Sequence, residues 1–202
     1  MSTKLVEVDK MLPEILPVFP ISPKPLFPGI FMPIDLELED EMLKLKDPIE
    51  NGTYLCALLL KDLDKDFNQS NLYDVGVVIK ILKKSFISPN IVSMLLYALK
   101  RVKVKRFLQD DKGLLQAEVE YIDEDYDPND PEIRAYQATI IDMVRTLADQ
   151  NHFFMQRVKS TVFNADSPSK VADFTAFIID LNREEYQKVL EIFDIKKRMH
   201  KV

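Results

Sequence analysis

The chain has 202 residues, 47% hydrophobic and 30% charged, with 27 lysines and arginines against 33 aspartates and glutamates. That is enough apolar material for a buried core, so global disorder is excluded, and no run approaches the roughly 20 apolar residues of a membrane-spanning helix. A net charge of −6 withholds the broad positive field that draws proteins to phosphate backbones or anionic lipid, which disfavours nucleic acid and membranes as partners.

The first residues, Met1-Ser-Thr-Lys-Leu-Val-Glu-Val-Asp9, hold neither an apolar signal core nor an Arg-rich transit pattern. Leu16-Pro-Val-Phe-Pro-Ile21 opens an extended segment. Seven of the twelve prolines lie at or before Pro33, where the chain can form neither helix nor central ladder. Leu36 and Leu38 alternate with acids as on a half-buried strand. Met42, Leu43 and Leu45 predict a short helix over 40–49, ended by Pro48 and Asn51-Gly52. Strands are predicted over 53–60, 75–83, 91–99, 101–108 and 114–122. Within them Val102 and Val104 alternate with Lys103 and Lys105, which predicts one wet face. Asp110-Asp111-Lys112-Gly113 joins the last two strands as a hairpin. About six short strands at close spacing predict a small, curled, barrel-like sheet.

Composition then changes. Residues 118–132 carry eight acids, no base and two prolines, a self-repelling stretch that reads as an exposed connection. Beyond it the periodicity is helical. Asp130-Pro131 is a cap followed by proline at the first helical position. Ile133, Tyr136, Ile140, Met143, Val144 and Leu147 mark one stripe. A second helix is predicted over 153–163. Ser167-Pro168 starts a third with Val171, Phe174, Ile178 and Leu181 on its buried face. Asn182 with Glu185 is a capping box for a fourth, carrying Tyr186, Val189, Leu190 and Phe193. The basic tail from Lys196 to Lys201 reads as the start of a longer helix. The predicted class is α+β: a strand-rich part over 1–122, an acidic linker over 123–131, and a bundle of about four helices over 132–202.

Few residues are placed for chemistry. The four glycines, Gly29, Gly52, Gly76 and Gly113, are too scattered for a GxxxxGK or GxGxxG phosphate cradle. Two histidines and Cys56 cannot assemble a closed Cys/His zinc site. Cys56 lies in an apolar strand with no partner for an internal disulfide, as in a protein of the reducing cytoplasm. Ser85 and Lys84 are adjacent, so on a strand they point to opposite faces and make no nucleophile–base pair. His152 reads as a helix-end residue. No catalytic, cofactor or metal residue is assigned. The basic stretch from Lys100 to Arg106 is the best nucleic-acid candidate, but it has no interleaved stacking aromatics before Phe107; a solvent-facing strand whose lysines discourage edge pairing explains it better. The most unusual segment is Pro25-Leu-Phe-Pro-Gly-Ile-Phe-Met-Pro33. It is either a loop packed over the end of the barrel or an exposed apolar surface for partners, with Phe27, Phe31 and Met32 as candidate binding residues.

Several of these segments resemble, in order, the N-terminal domain of Lon proteases. Leu16-Pro-Val-Phe-Pro-Ile21 and Leu26-Phe-Pro-Gly-Ile-Phe-Met-Pro33-Ile resemble its opening strand and YPxMxxPL loop. Tyr73-Asp-Val-Gly76-Val-Val-Ile resembles a later strand, and Leu96-Tyr-Ala-Leu-Lys-Arg101-Val a segment in which the family carries glycine where this chain has Tyr97-Ala98. Ser167-Pro-Ser-Lys-Val-Ala-Asp173 is similar to its DP..LAD helix start, and Gln187-Lys-Val-Leu-Glu191 to its KQ.LLE segment. The resemblance covers about 14–202 and implies a PUA-like β-barrel followed by a helical bundle. It implies the substrate-recognition region of an ATP-dependent serine protease that degrades misfolded and short-lived regulatory proteins. In such a parent, ATPase and peptidase domains, ATP and magnesium, and a hexamer would lie outside this chain. Unfolded or misfolded proteins are the implied partners. The alternatives are a free-standing Lon-N-like interaction module and a PUA-like RNA-binding module.

Overall fold

The computed structural model describes residues 12–150, 162 and 165–202. His152 and the helix predicted over 153–163 fall outside these residues, apart from the buried Val162. Six strands are present: β1 (Ile15–Ile21), β2 (Phe31–Glu37), β3 (Leu55–Leu59), β4 (Val75–Ser88), β5 (Ile91–Gln109) and β6 (Leu115–Tyr121). The helices among the described residues are α1 (Lys46–Asn51), α2 (Pro131–Gln150), α3 (Pro168–Ile178), α4 (Arg183–Leu190) and α5 (Ile195–Lys201). The segment predicted as one helix over 40–49 is a tight 3-10 turn, Asp40–Leu45, running into α1. Pro48 does not end it. It sits in the first turn of α1, where its missing N–H leaves no helical bond unmade.

β1 pairs parallel with β3 and antiparallel with β6, β3 pairs antiparallel with β4, and β4 with β5. Two predicted strands, 91–99 and 101–108, are one 19-residue strand. Its first half pairs with β2 and its second half with β6. The register slips between Val78 and Ile79, where their partners Lys100 and Ala98 skip Leu99. That bulge disturbs the alternation and bends the strand without ending it. The result is a curled mixed sheet with β2 outlying, plus helices. The class is α+β as predicted, but the sheet is not a regular closed barrel.

Apolar side chains from successive residues go to opposite faces of this sheet, and over β3 and the start of β4 both faces are buried. Val18, Cys56 and Val78 enter one cluster with Leu16, Leu58, Val102 and Ala117. Their neighbours Phe19, Ala57, Val77 and Ile79 enter a second, which includes Val144, Phe174, Val189 and Leu190 of the helices. Two-sided burial is why the sequence around β3 reads as a continuous apolar run rather than an alternation. Gly76 permits the close approach of β4 to β3, since a Cβ there would stand 2.1 Å from the Ala57 carbonyl oxygen. In α2, Ile133, Ile140 and Val144 are buried, whereas Met143 and Leu147 of the predicted stripe stand exposed.

Sheet and helices are joined by an ion cluster. Arg101, on the strand expected to be wet, is 2% exposed. Its guanidinium donates to both carboxylate oxygens of Asp173 on α3, at 2.5 and 2.9 Å, to Glu124 at 3.1 Å, and to the Leu190 carbonyl at 3.1 Å. Arg198 of α5 is wholly buried and donates to Glu124, to Ser169 Oγ at 2.8 Å and to the Ile192 carbonyl at 3.1 Å. Its Nε lies 3.3 Å from Asp173. Glu124 belongs to the acidic stretch read as a solvated connection, yet like Asp173 it is shared by both guanidiniums. Burial opposes its ionisation, but Arg198 and Arg101, with the Ser169 hydroxyl, outweigh that and hold its pKa below the ordinary 4.5.

Two outcomes follow from this cluster. Asp173→Ala leaves two buried cations short of their counter-ion and should cost about 3–5 kcal/mol, measured as a lower urea midpoint. The carboxyl of Glu124 titrates lower in the fold than in the unfolded chain, so its stabilisation is full above that ordinary value and is lost as pH falls through the lowered one. In Glu124→Gln the stability lost between pH 5 and pH 3 should therefore be smaller than in the wild type, measured by denaturation across that range.

Candidate client-binding surface

The proline-rich segment runs as a loop over 22–30 into β2, between β5 and the helices. Gly29 N–H donates to the Ala98 carbonyl at 2.8 Å, and Ala98 N–H returns a bond to the Ile30 carbonyl at 3.0 Å. Leu26, Phe27 and Ile30 turn inward to the apolar cluster that the helices share, and Phe27 is 0% exposed. Phe27 is therefore core, and it is no part of an exposed apolar surface. The reason is positional: a loop roofed by helices buries its large side chains against them even though its prolines keep it out of a ladder. Met32 is half-buried on the inner face of β2, against the same cluster.

Phe31 is different. It is 58% exposed, and its ring stacks on Tyr97 with centroids 4.6 Å apart and planes 30° from parallel. Cross-strand pairing sets Phe31 beside Tyr97 and Tyr97 beside Lys80, then Pro33 beside Leu95 and Leu95 beside Lys83. Paired residues share a face, so Phe31, Pro33, Leu95 and Tyr97 form an apolar row with lysines on one flank. Leu82, exposed in the bulge between Ile81 and Lys83, adjoins it on β4. Further along the same face of β2 come the exposed Asp35 and Glu37. Among the described residues β2 pairs with β5 alone. Ala98 N–H of β5 donates to the Ile30 carbonyl and Leu38 N–H to that of Asn90, just before β5, so backbone groups of even-numbered residues face β5 and those of Pro33 the open side. There its missing N–H, with the two acids, blunts the edge against self-pairing.

Two other sequence candidates among the described residues are engaged within the molecule. Lys84 Nζ donates to the carbonyls of Ile49 and Glu50, at 2.9 and 2.5 Å, so it does not serve Ser85 as a base. The basic stretch is largely engaged within the molecule. Lys100 pairs with Asp123 at 2.5 Å and Arg106 with Glu118 at 2.6 Å, while Arg101 is internal. Burial pushes the Cys56 thiol up to about 12, which keeps it protonated. No group of three or more metal-ligating side chains occurs among the described residues. Reading the sequence overlooked Tyr97 and Leu95, whose place in the row depends on pairing with β2. It also overlooked the ion cluster, although Arg101 and Asp173 each stand in a segment that carries the resemblance.

The architecture matches that of N-terminal protease domains. It superposes on the "N terminal domain of Mycobacterium avium complex Lon protease" with a TM-score of 0.71, at 19% identity, covering 92% of this chain and 94% of that one. The Lon N-terminal domain protein from Xanthomonas campestris gives 0.63, also at 19% identity, over 92% and 95% of the two chains. A model of the ATP-dependent protease La (LON) substrate-binding domain matches residues 15–202, and the chain belongs to that family. Lon proteases of Leptospira interrogans and Treponema pallidum are 34% and 29% identical to it, each over 98% of this chain. The chain spans about a quarter of their length, 24% and 22%.

The two phenylalanines separate surface from core. Phe27→Ser should lower stability by about 3–5 kcal/mol, whereas Phe31→Ser loses only a stacked contact and should cost under about 1.5 kcal/mol. Urea denaturation of the two variants measures the difference.

Proposed function

We propose that this chain captures unfolded or misfolded polypeptides for an ATP-dependent Lon-type protease, using the face around Phe31. The observation that carries the reading is a large aromatic ring held mostly in solvent on a hydrogen-bonded sheet, continuous with Tyr97, Leu95 and Pro33. Unfolded clients differ from folded proteins in displaying apolar side chains. A receptor for them therefore needs apolar area that is tolerant of sequence. A stacked pair on a ladder provides it with little ordering cost on binding. Met32 supports this face from beneath with a pliable side chain.

In this reading the ATPase and peptidase domains, with ATP and magnesium, belong to the longer parent, and a hexamer would multiply weak sites by avidity. The same reading divides the chain into a strand-rich part, a connection over 123–131 and a helical part. It also assigns the protein to the cytoplasm; the lone buried thiol of Cys56 supports that assignment. No helix among the described residues is long and apolar enough to cross a membrane.

Burying one large apolar side chain against a client is worth on the order of 1.5–3 kcal/mol. Phe31→Ser should accordingly weaken binding of a reduced, carboxymethylated protein by about tenfold or more, read by fluorescence anisotropy. Binding unchanged by Phe31→Ser would place the client surface elsewhere.

A further inference from the structure

We propose that Lys24 and Gly29 are positioning residues for the client surface, clamping the 22–30 loop onto α3 and α4 so that Phe31 is presented in a fixed place. The proposal rests on the reading of the Phe31 face as that surface.

The clamp has two jaws, and both close on the helices. At one end, Lys24 Nζ donates to the Phe177 carbonyl at 3.1 Å. The same ammonium lies 4.0 Å from the centroid of the Phe177 ring and 5.3 Å from that of Tyr186. A cation facing two rings and a carbonyl is attracted by all three. Tyr186 is itself held, since its hydroxyl donates to the Ile179 carbonyl at 2.6 Å. At the other end, Gly29 sits at φ +86 against Phe174, and a Cβ there would lie 3.0 Å from that ring. Glycine thus lets the loop lie flat on α3 while its N–H bonds to β5. Phe31 follows two residues later.

The two jaws grip different elements from the client. Neither Lys24 nor Gly29 is one of the apolar residues of the row, so neither is needed to supply its area. Their effect on binding comes through the loop. A loop released from α3 and α4 must be ordered again when a client binds, and that ordering weakens affinity without removing any contact in the complex. The helical part, on this account, helps build the recognition surface although none of its described residues belongs to the apolar row.

The test is a double-mutant cycle in the full chain, with a reduced, carboxymethylated protein as probe and anisotropy as readout. Lys24→Met keeps the stem and removes the cation. It should weaken binding about three- to tenfold with little change in melting temperature, and Lys24→Arg should restore it. In a Phe31→Ser background, Lys24→Met should have no further effect, because the surface it positions is already gone. Gly29→Ala, which forces the loop off Phe174, should act in the same direction as Lys24→Met. Normal binding by Lys24→Met while Phe31→Ser has lost it would overturn the clamp and leave the client surface standing. A Lys24→Met effect that adds fully to that of Phe31→Ser would also overturn it. Normal binding by Phe31→Ser would sink the client-surface reading and this inference with it.

Discussion

A buried, overall neutral cluster of two guanidiniums and two carboxylates is the constraint around which the molecule is arranged. Arg101 brings it to β5, Asp173 to α3, Arg198 to α5, and Glu124 to the segment between sheet and helices. Charges so deep are tolerable only when every one is paired and hydrogen-bonded. The strand, the two helices and the connection therefore have to arrive together or leave the others uncompensated. Apolar contacts between sheet and helices are non-directional and would accept several docking angles. The bidentate grip of Arg101 on Asp173 accepts few.

That fixed docking has a consequence for the apolar row around Phe31. α3 carries Asp173 and Phe174 in succession, one in the ion cluster and the next against Gly29. β5 carries Tyr97 beneath Phe31 and, four residues on, Arg101. The helix and the strand that hold the cluster are thus the same two elements that flank the loop and support the apolar row. The outlying position of β2 leaves part of one face uncovered, and the aromatic pair occupies that part.

Among the described residues, several side chains with chemical potential are engaged within the fold. The Cys56 thiol is buried and protonated, Lys84 beside Ser85 is committed to two carbonyls, and most of the basic strand is paired with acids of the same chain. Exposed charges flank the apolar row, with Lys80 and Lys83 on β4 and Asp35 and Glu37 on β2.

Much of the fold was legible in the sequence because its signals are local. Caps such as Ser167 and the Asn182–Glu185 box act within one turn, the Asp110–Gly113 turn joins adjacent strands, and helical or strand periodicity is read over a dozen residues. Proline density likewise marked the segment that holds Phe31 as unusual. The tertiary structure alone decided which side of that segment faces water. Phe27 and Phe31 are four residues apart and chemically identical, and they differ only in what lies opposite: α3 and the core for one, solvent for the other. It also decided the fate of the charges. Arg101 reads as one more cation in a wet strand until Asp173, 72 residues on, is folded against it. Long-range pairing alone turns a charge from a surface residue into a core one, because the desolvation of each ion is offset only by a partner the local sequence does not contain.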